Sequence, residues 1–274
     1  MALDRICELI IGENAEGLLV SGLDVDFNIE RSLTFSENTA EFTIYNAKEE
    51  TRKNVLKKDN NLVFRVGYSD EAVGVIFSGN IRESTTVKNG VDWETKIFAV
   101  TGVGTDGALL SQYISLSFSA ETNLQDIVKN LSNLYGMVVY GLENADIVLQ
   151  NGWVYTGLLG GAFRYVEDIL KSNNKGIYRD LNEIVIFNKG ENSKFNVAVL
   201  SLTGGLKNIQ DITDKESASK TRLKFESLIM PQVQVNGLVN IKHPNVEGFF
   251  TVEKLTYSGN NYGGDFNMTG EVFE

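Results

Sequence analysis

The chain is 274 residues long, 42% hydrophobic and 22% charged, with a formal net charge of −11. That length suits two domains or three small ones, and no apolar run nears the ~20 residues needed to cross a bilayer. The acidic balance argues against tight phosphate binding, which needs clustered Lys and Arg, yet it would suit a channel along which nucleic acid slides without sticking.

The opening MALDRICELIIG carries Asp4, Arg5 and Glu8 and does not match a signal peptide. The protein is therefore expected to stay in the cytoplasm of the cell that makes it. Cys7 is the only cysteine, which excludes an intrachain disulfide and a cysteine-based metal site. Between Ile6 and Glu8 it is expected to be a small buried strand residue. Residues 1 to about 105 read as strands. AEFTIYNA sets Phe42 and Ile44 on one face and Glu41, Thr43 and Tyr45 on the other. NLVFRVGY (61–68), VGVIFSGNI (73–81) and STTVKNGVDWETKIFAV (84–100) follow, and Asn89-Gly90 marks a hairpin. One helix is expected here, NAKEETRKNVLKK (46–58), with Asn46 as N-cap, Glu49 and Glu50 in the first turn, and Lys57 and Lys58 in the last.

The period then changes. ETNLQDIVKNLSNLYG (121–136) puts Leu124, Ile127, Val128, Leu131 and Leu134 on one helical stripe, capped by Thr122 or Asn123 and ended by Gly136. MVVYGL reads as a strand. GAFRYVEDILKSNNKG (161–176) repeats the helical spacing with Phe163, Val166, Ile169 and Leu170, and GIYRDLNEIVIFNKG reads as two strands turning near Asp180 to Asn182. From about 191 the strands return: FNVAVLSL, SKTRLKFESL, LVNIKH, GFFTVEKLTY and GDFNMTGEVFE. Alternation in FFTVEKLTY slips at Glu253-Lys254, which predicts a β-bulge. Pro231 and Pro244, the only prolines, fall between these strands. The expected fold is mainly β with an α/β insert: two small antiparallel β-barrels, 1–105 and 191–274, flanking a small α/β domain, 106–190.

Chemistry is sparse. Gly102-Val103-Gly104-Thr105-Asp106-Gly107 matches G-x-G-x-x-G, but a hundred residues of strand precede it and the Ser-rich sequence after it looks extended. Without a helix N-terminus there is no dipole to hold a pyrophosphate. His243, the only histidine, lies in IKHPN at a strand end, without a G-x-S-x-G elbow elsewhere. It reads as an exposed turn residue, and no other residues complete a zinc site around it. Asp24 and Asp26 are placed on one face of a strand without EF-hand spacing, and read as a solvated face. The basic run Arg52 to Lys58 reads as the solvated side of a short helix. Aromatics sit inside alternating strands, without interleaved basic residues, so no platform for single-stranded nucleic acid is expected. SGNNYGGD (258–265) raises the question of a ligand loop; its flanking strands favour a turn. No catalytic, cofactor-binding or metal-ligating residue is assigned, and no interface residue is named.

Motif order adds a resemblance. NTAEFTIYN (38–46), the EETRKNVL helix (Glu49 to Leu56), Gly67-Tyr68 and FSGNI (77–81) stand in sequence. LIMPQVQVNG (228–237), GFFTV (248–252) and Tyr257-Ser258-Gly259 follow near the end. In this order the chain resembles the central baseplate hub proteins of contractile-tailed phages and R-type tail-like particles, over nearly its whole length. The resemblance implies a homotrimer in which two similar barrels per chain build a ring of near-sixfold symmetry. It implies a tail tube protein on one side and a threefold central spike protein on the other, with the tape-measure protein and baseplate wedge as further partners. It also implies a structural role without enzyme activity, cofactor, sequence-specific nucleic acid or membrane insertion, in a virion or tail-like particle baseplate assembled in the host cytoplasm. Two rivals remain: a tail-tip glycan-binding module, and a carboxylate-dependent cell-wall hydrolase of the tail.

Overall fold

The computed structural model describes residues 4–12, 17–69, 72–102, 110–190, 197–212 and 221–274. The chain divides into two compact units. One comprises Met1–Leu33, Asn38–Val100 and Asn192–Glu274, the other Thr34–Glu37 and Thr101–Glu191.

The larger unit is one antiparallel-dominated sheet. Its strands are β1 (Arg5–Gly12), β2 (Leu18–Val20), β3 (Val25–Ser32), β4 (Thr39–Tyr45), β5 (Asn61–Tyr68), β6 (Gly74–Asn89) and β7 (Asp92–Val100). The smaller unit supplies β8 (Tyr113–Phe118), β9 (Thr122–Asn123), α1 (Leu124–Tyr135), β10 (Val138–Tyr140), β11 (Val148–Leu149), β12 (Trp153–Leu158), α2 (Leu159–Ser172), β13 (Lys175–Asp180) and β14 (Glu183–Asn188). The chain then returns to the first unit as β15 (Ala198–Ser201), β16 (Leu206–Asp211), β17 (Arg222–Leu228), β18 (Leu238–His243), β19 (Val246–Asn260) and β20 (Phe266–Phe273). The fold is mainly β with a small α-containing insert, as the periodicities predict.

In the large unit the order is β16-β17-β20-β19-β3-β4-β7-β6-β5-β1-β2, with β18 pairing β19 and β15 pairing β18. The β segments before and after the insert thus share hydrogen bonds, through β3 and β19. Alternate residues turn inward where a strand has one buried face: β4 buries Ala40, Phe42 and Ile44, and β20 buries Phe266, Met268 and Val272. Phe27, Phe42, Phe64, Phe77 and Phe266 meet at ring-centroid distances of 5.0–6.3 Å, mostly tilted or edge-on. The Asn89-Gly90 hairpin forms, with Asn89 opposite Asp92. Only Gly90 takes a positive φ, 62°, so the turn residues are Gly90 and Val91, one step later than the sequence suggests.

The helix expected over 46–58 shrinks to five residues, Thr51–Val55, of π type. Asn46 does not cap it. Its φ is 54°, and its side chain accepts from the Trp93 N–H (3.0 Å) and donates to Asp92 (2.8 Å), which ties it to β7. Strand pairing of the chain ahead of the helix overrides the cap signal.

The smaller unit packs α1 and α2 with short sheets. Asn123 accepts from the Gln125 N–H (3.0 Å) at the α1 N-terminus, and Gly136 ends the helix at φ 77°. Leu124, Ile127, Val128 and Leu131 are buried as expected; Leu134 is exposed and Tyr135 takes the inward place. α2 begins without a side-chain cap. The Leu159 and Gly160 N–H groups donate instead to Gln112 and Leu110 carbonyls at 2.9 and 2.8 Å. Gly161 leaves room there for Tyr155, whose Oη a Cβ would approach to 2.1 Å unless the ring shifted. β13 and β14 join through Leu181 and Asn182, both at positive φ, the two-residue turn expected near Asp180 to Asn182. Four strands escaped the sequence reading: the two-residue β9 and β11, β12, and the edge strand β16 with its sequence LKNIQD.

Candidate functional site

The sequence candidates resolve into structure. Cys7 is buried in β1, and burial pushes its thiol up to about 12, so it is inert at neutral pH. His243 ends β18 half-buried; its Nδ1 accepts from the Asn245 N–H at 3.3 Å, closing a tight turn. The G-x-G-x-x-G motif begins at Gly102, and its remaining residues lie outside the described residues. Among the described residues, no three His, Cys, Asp or Glu side chains converge as a metal site would require.

Asp24 and Asp26 do come together, on the SGNNYGGD loop. Asn260 Nδ2 donates to both carboxylates, at 2.6 and 2.8 Å, and the Tyr45 hydroxyl donates to Asp26 at 2.8 Å. A cavity of about 680 Å³ opens beside them. Other polar groups of the loop are hydrogen-bonded to the rest of the sheet. Arg5 donates to the Asn260, Gly263 and Gly264 carbonyls at 2.7, 3.0 and 2.8 Å and lies 5.0 Å from the centre of the Phe266 ring. Asn261 exchanges bonds with the Val25 N–H and the Leu23 carbonyl, each at 2.8 Å, and the Tyr262 hydroxyl reaches Gly22 at 3.0 Å. The loop fastens β19 and β20 to β1 and to the segment ahead of β3, and its two asparagine amides and the Tyr262 hydroxyl are already engaged.

What stands out is a repeat. β3-β4-β7-β6-β5 and β16-β17-β20-β19-β18 have the same strand order, and every pair in both sets is antiparallel. β1 and β15 flank the two sets at the same place, though β1 runs antiparallel to β5 and β15 parallel to β18. The correspondence reaches single residues. Asn80 pairs Asn61 on one side and Val100 on the other; Thr251 pairs Leu238 and Phe273. A bulge follows in each, between Ile81 and Glu83 and between Val252 and Lys254, the second at the slip read from the sequence. Asp59 and Asn236, at φ 76° and 60°, donate their N–H groups to the carbonyls of Ile81 and Val252 at 2.7 and 2.8 Å. In return the N–H groups of Ile81 and Val252 each donate, at 2.9 Å, to the carbonyls of Asn60 and Gly237.

The repeats join edge to edge. Lys254–Asn260 of β19 pairs with Asp26–Ser32 of β3. Leu255, Tyr257, Phe27 and Ile29 are buried at this junction. Arg31, 1% exposed, donates to Gln234 at 2.6 Å, and Lys254 meets Glu30 at 3.2 Å. Sequence reasoning found both strands and the bulge but not this pairing, because alternation reports a buried face and says nothing of which edge meets which.

The fold is that of phage-tail proteins. It matches the tail protein from Neisseria meningitidis MC58 at a TM-score of 0.69 and 11% identity, over 98% of this chain and 96% of that one. It matches the 43 kDa tail protein of prophage MuSo2 from Shewanella oneidensis at 0.63 and 13%, over 97% of both. A third match is the E. coli c3393 protein, a type VI secretion component described as similar to the T4 tail proteins gp27 and gp5, at 0.65 and 10%, over 96% of this chain and 76% of that one. No curated relative matches the sequence. A family model does: residues 9–272 match the baseplate hub gp41 family, and the chain belongs to it.

Proposed function

We propose that the chain is the trimeric hub of a phage or tail-like-particle baseplate, a ring joining the sixfold tail tube to the threefold central spike. The internal repeat carries this reading. Two copies of one β arrangement per chain let three chains present near-sixfold symmetry to a tube while remaining a trimer toward a spike. The β segments 1–105 and 191–274 act as the two hub domains, around an α/β insert at 106–190. The role is structural, without catalysis or cofactor, and assembly takes place in the host cytoplasm. Family membership and the engagement of the Asp24-Asp26 carboxylates by Asn260 and Tyr45 support it.

Native mass spectrometry of the chain, alone and with its tube and spike proteins, tests the reading. The expected species is a trimer. A chain that stays monomeric with both partners present overturns it, and lysis of purified peptidoglycan by the pure protein overturns the non-catalytic part.

A further inference from the structure

The repeat relates one made junction to two open edges. In the second repeat, Lys254–Asn260 of β19 carries β20 on one side and β3 on the other. In the first repeat, the corresponding stretch of β6 (83–89) carries β7 on one side; on the other, β5 stops at Asn80. Among the described residues no strand takes the place that β3 fills on β19. The strand corresponding to β3 is β16, and β16 ends the sheet, with its outer edge unpaired among the described residues. One chain therefore presents both halves of a second junction, at two separate strands.

We infer that these two edges meet between copies: residues 85–89 of β6 in one protomer pair antiparallel with residues 208–212 of the next, in the register of the β19–β3 junction. The inference rests on the ring reading for its partner, a second copy of this chain, and adds which strands form the seam. Transferring the register sets Thr85 opposite Ile212, Thr86 opposite Asp211, Val87 opposite Gln210, Lys88 opposite Ile209 and Asn89 opposite Asn208.

The side chains fit that register. Lys88 and Asp211 fall on one face as diagonal neighbours, within reach of an ion pair; the made junction carries its ion pair, Lys254 to Glu30, on the other face and the other diagonal. Val87, 57% exposed, and Ile212 are diagonal neighbours on the other face. Both edges are polar, which protects a lone copy from indiscriminate strand pairing. A contact between two different edges is head-to-tail, the kind that closes rings.

Paired cysteines test it in the assembled protein. Opposed residues of antiparallel strands lie at disulfide distance, so Lys88→Cys/Ile209→Cys should give covalent dimers and trimers on oxidation. Val87→Cys/Ile209→Cys, which points the two thiols to opposite faces, should cross-link at least tenfold less. Cys7, buried, leaves the background clean. Independently, Lys88→Glu should weaken trimer formation about tenfold, and adding Asp211→Lys should restore it. A trimer in which the Lys88→Cys/Ile209→Cys pair cross-links no better than the offset pair overturns the seam and leaves the ring standing. A chain that never trimerises overturns the ring, and the seam with it.

Discussion

Tyr257 and Thr86 occupy the same place in two copies of one arrangement: each lies five residues past the bulge-bearing Val252 or Ile81. Tyr257 is wholly buried against β3, and its hydroxyl donates to the Val233 carbonyl at 3.2 Å. Thr86 is exposed. The contrast extends along both strands. Leu255 and Tyr257 face the core where the first repeat has Ser84 and Thr86. The backbone is shared, so the difference lies in what each edge meets. An edge covered within the chain can bury large apolar groups; an edge left to solvent in the free chain must stay polar. One topology thus yields a junction made within the chain and an edge left open in it.

The strongest way to break this comparison is to truncate the two residues in turn. Tyr257→Ala should cost about 3–5 kcal/mol, in line with deletion of a buried aromatic ring. Thr86→Ala should cost about 1 kcal/mol at most, the loss of one hydroxyl bond to buried Thr95 at 3.1 Å. Chemical denaturation of the monomeric chain reads both. Similar costs at the two sites would mean that the β6 edge is already packed in the single chain.

How legible this was in the sequence varies with burial. β4, β17, β19 and β20 alternate apolar and polar residues because one face is buried, and each was readable, as was the bulge after Val252. α1 and its caps were readable because Asn123 and Gly136 serve local backbone needs. β16 was not: LKNIQD lies at the sheet edge with most side chains in solvent, so no alternation develops. The repeat was hidden too. Thr39–Tyr45 and Arg222–Leu228 correspond strand for strand, yet TAEFTIY and RLKFESL share only Phe42 and Phe225. Backbone pairing sets the arrangement, and many residue choices satisfy it. The assembly edges were illegible for a related reason: an exposed polar strand has the same composition whether or not another chain later covers it.

The hairpin tips offer a second, smaller contrast. The second repeat's tip is fastened by Arg5, which holds three loop carbonyls. The first repeat's tip is held only at its base, where Asn46 bonds Asp92 and the Trp93 N–H, and Val91 is 89% exposed. Arg5→Ala should cost about 1.5–3 kcal/mol, the range for bonds from a charged donor, and should speed amide exchange across 260–265. Gly90→Ala should cost about 1 kcal/mol through backbone strain alone, since φ is 62° and a Cβ would meet nothing within 4 Å. Exchange mass spectrometry with a melting curve separates the two. If Arg5→Ala left exchange at 260–265 unchanged, the loop would be self-supporting and the contrast would vanish.

The finest distinction concerns alkaline pH. In the first repeat the Tyr45 hydroxyl donates to Asp26, and that hydrogen bond, with burial and the nearby carboxylates, pushes the phenol from 10.0 to about 12. The corresponding residues of the second repeat are Leu228 and Asn208, which do not titrate. Cys7, also in the first repeat, is pushed from 9.0 to about 12 by burial. Each group holds its proton more tightly when folded. Its contribution is therefore complete below the unfolded value and is lost as pH rises toward the folded one. Stability should begin to fall above about pH 9 through Cys7, and fall faster above about pH 10 as Tyr45 joins. Tyr45→Phe should lower the melting temperature slightly at neutral pH, by losing one bond. It should also remove the steeper part of the decline between pH 10 and 12, leaving the Cys7 portion in place. An unchanged profile in Tyr45→Phe would mean that the phenol does not feel Asp26 in solution, and would leave Cys7 as the whole alkaline difference between the repeats.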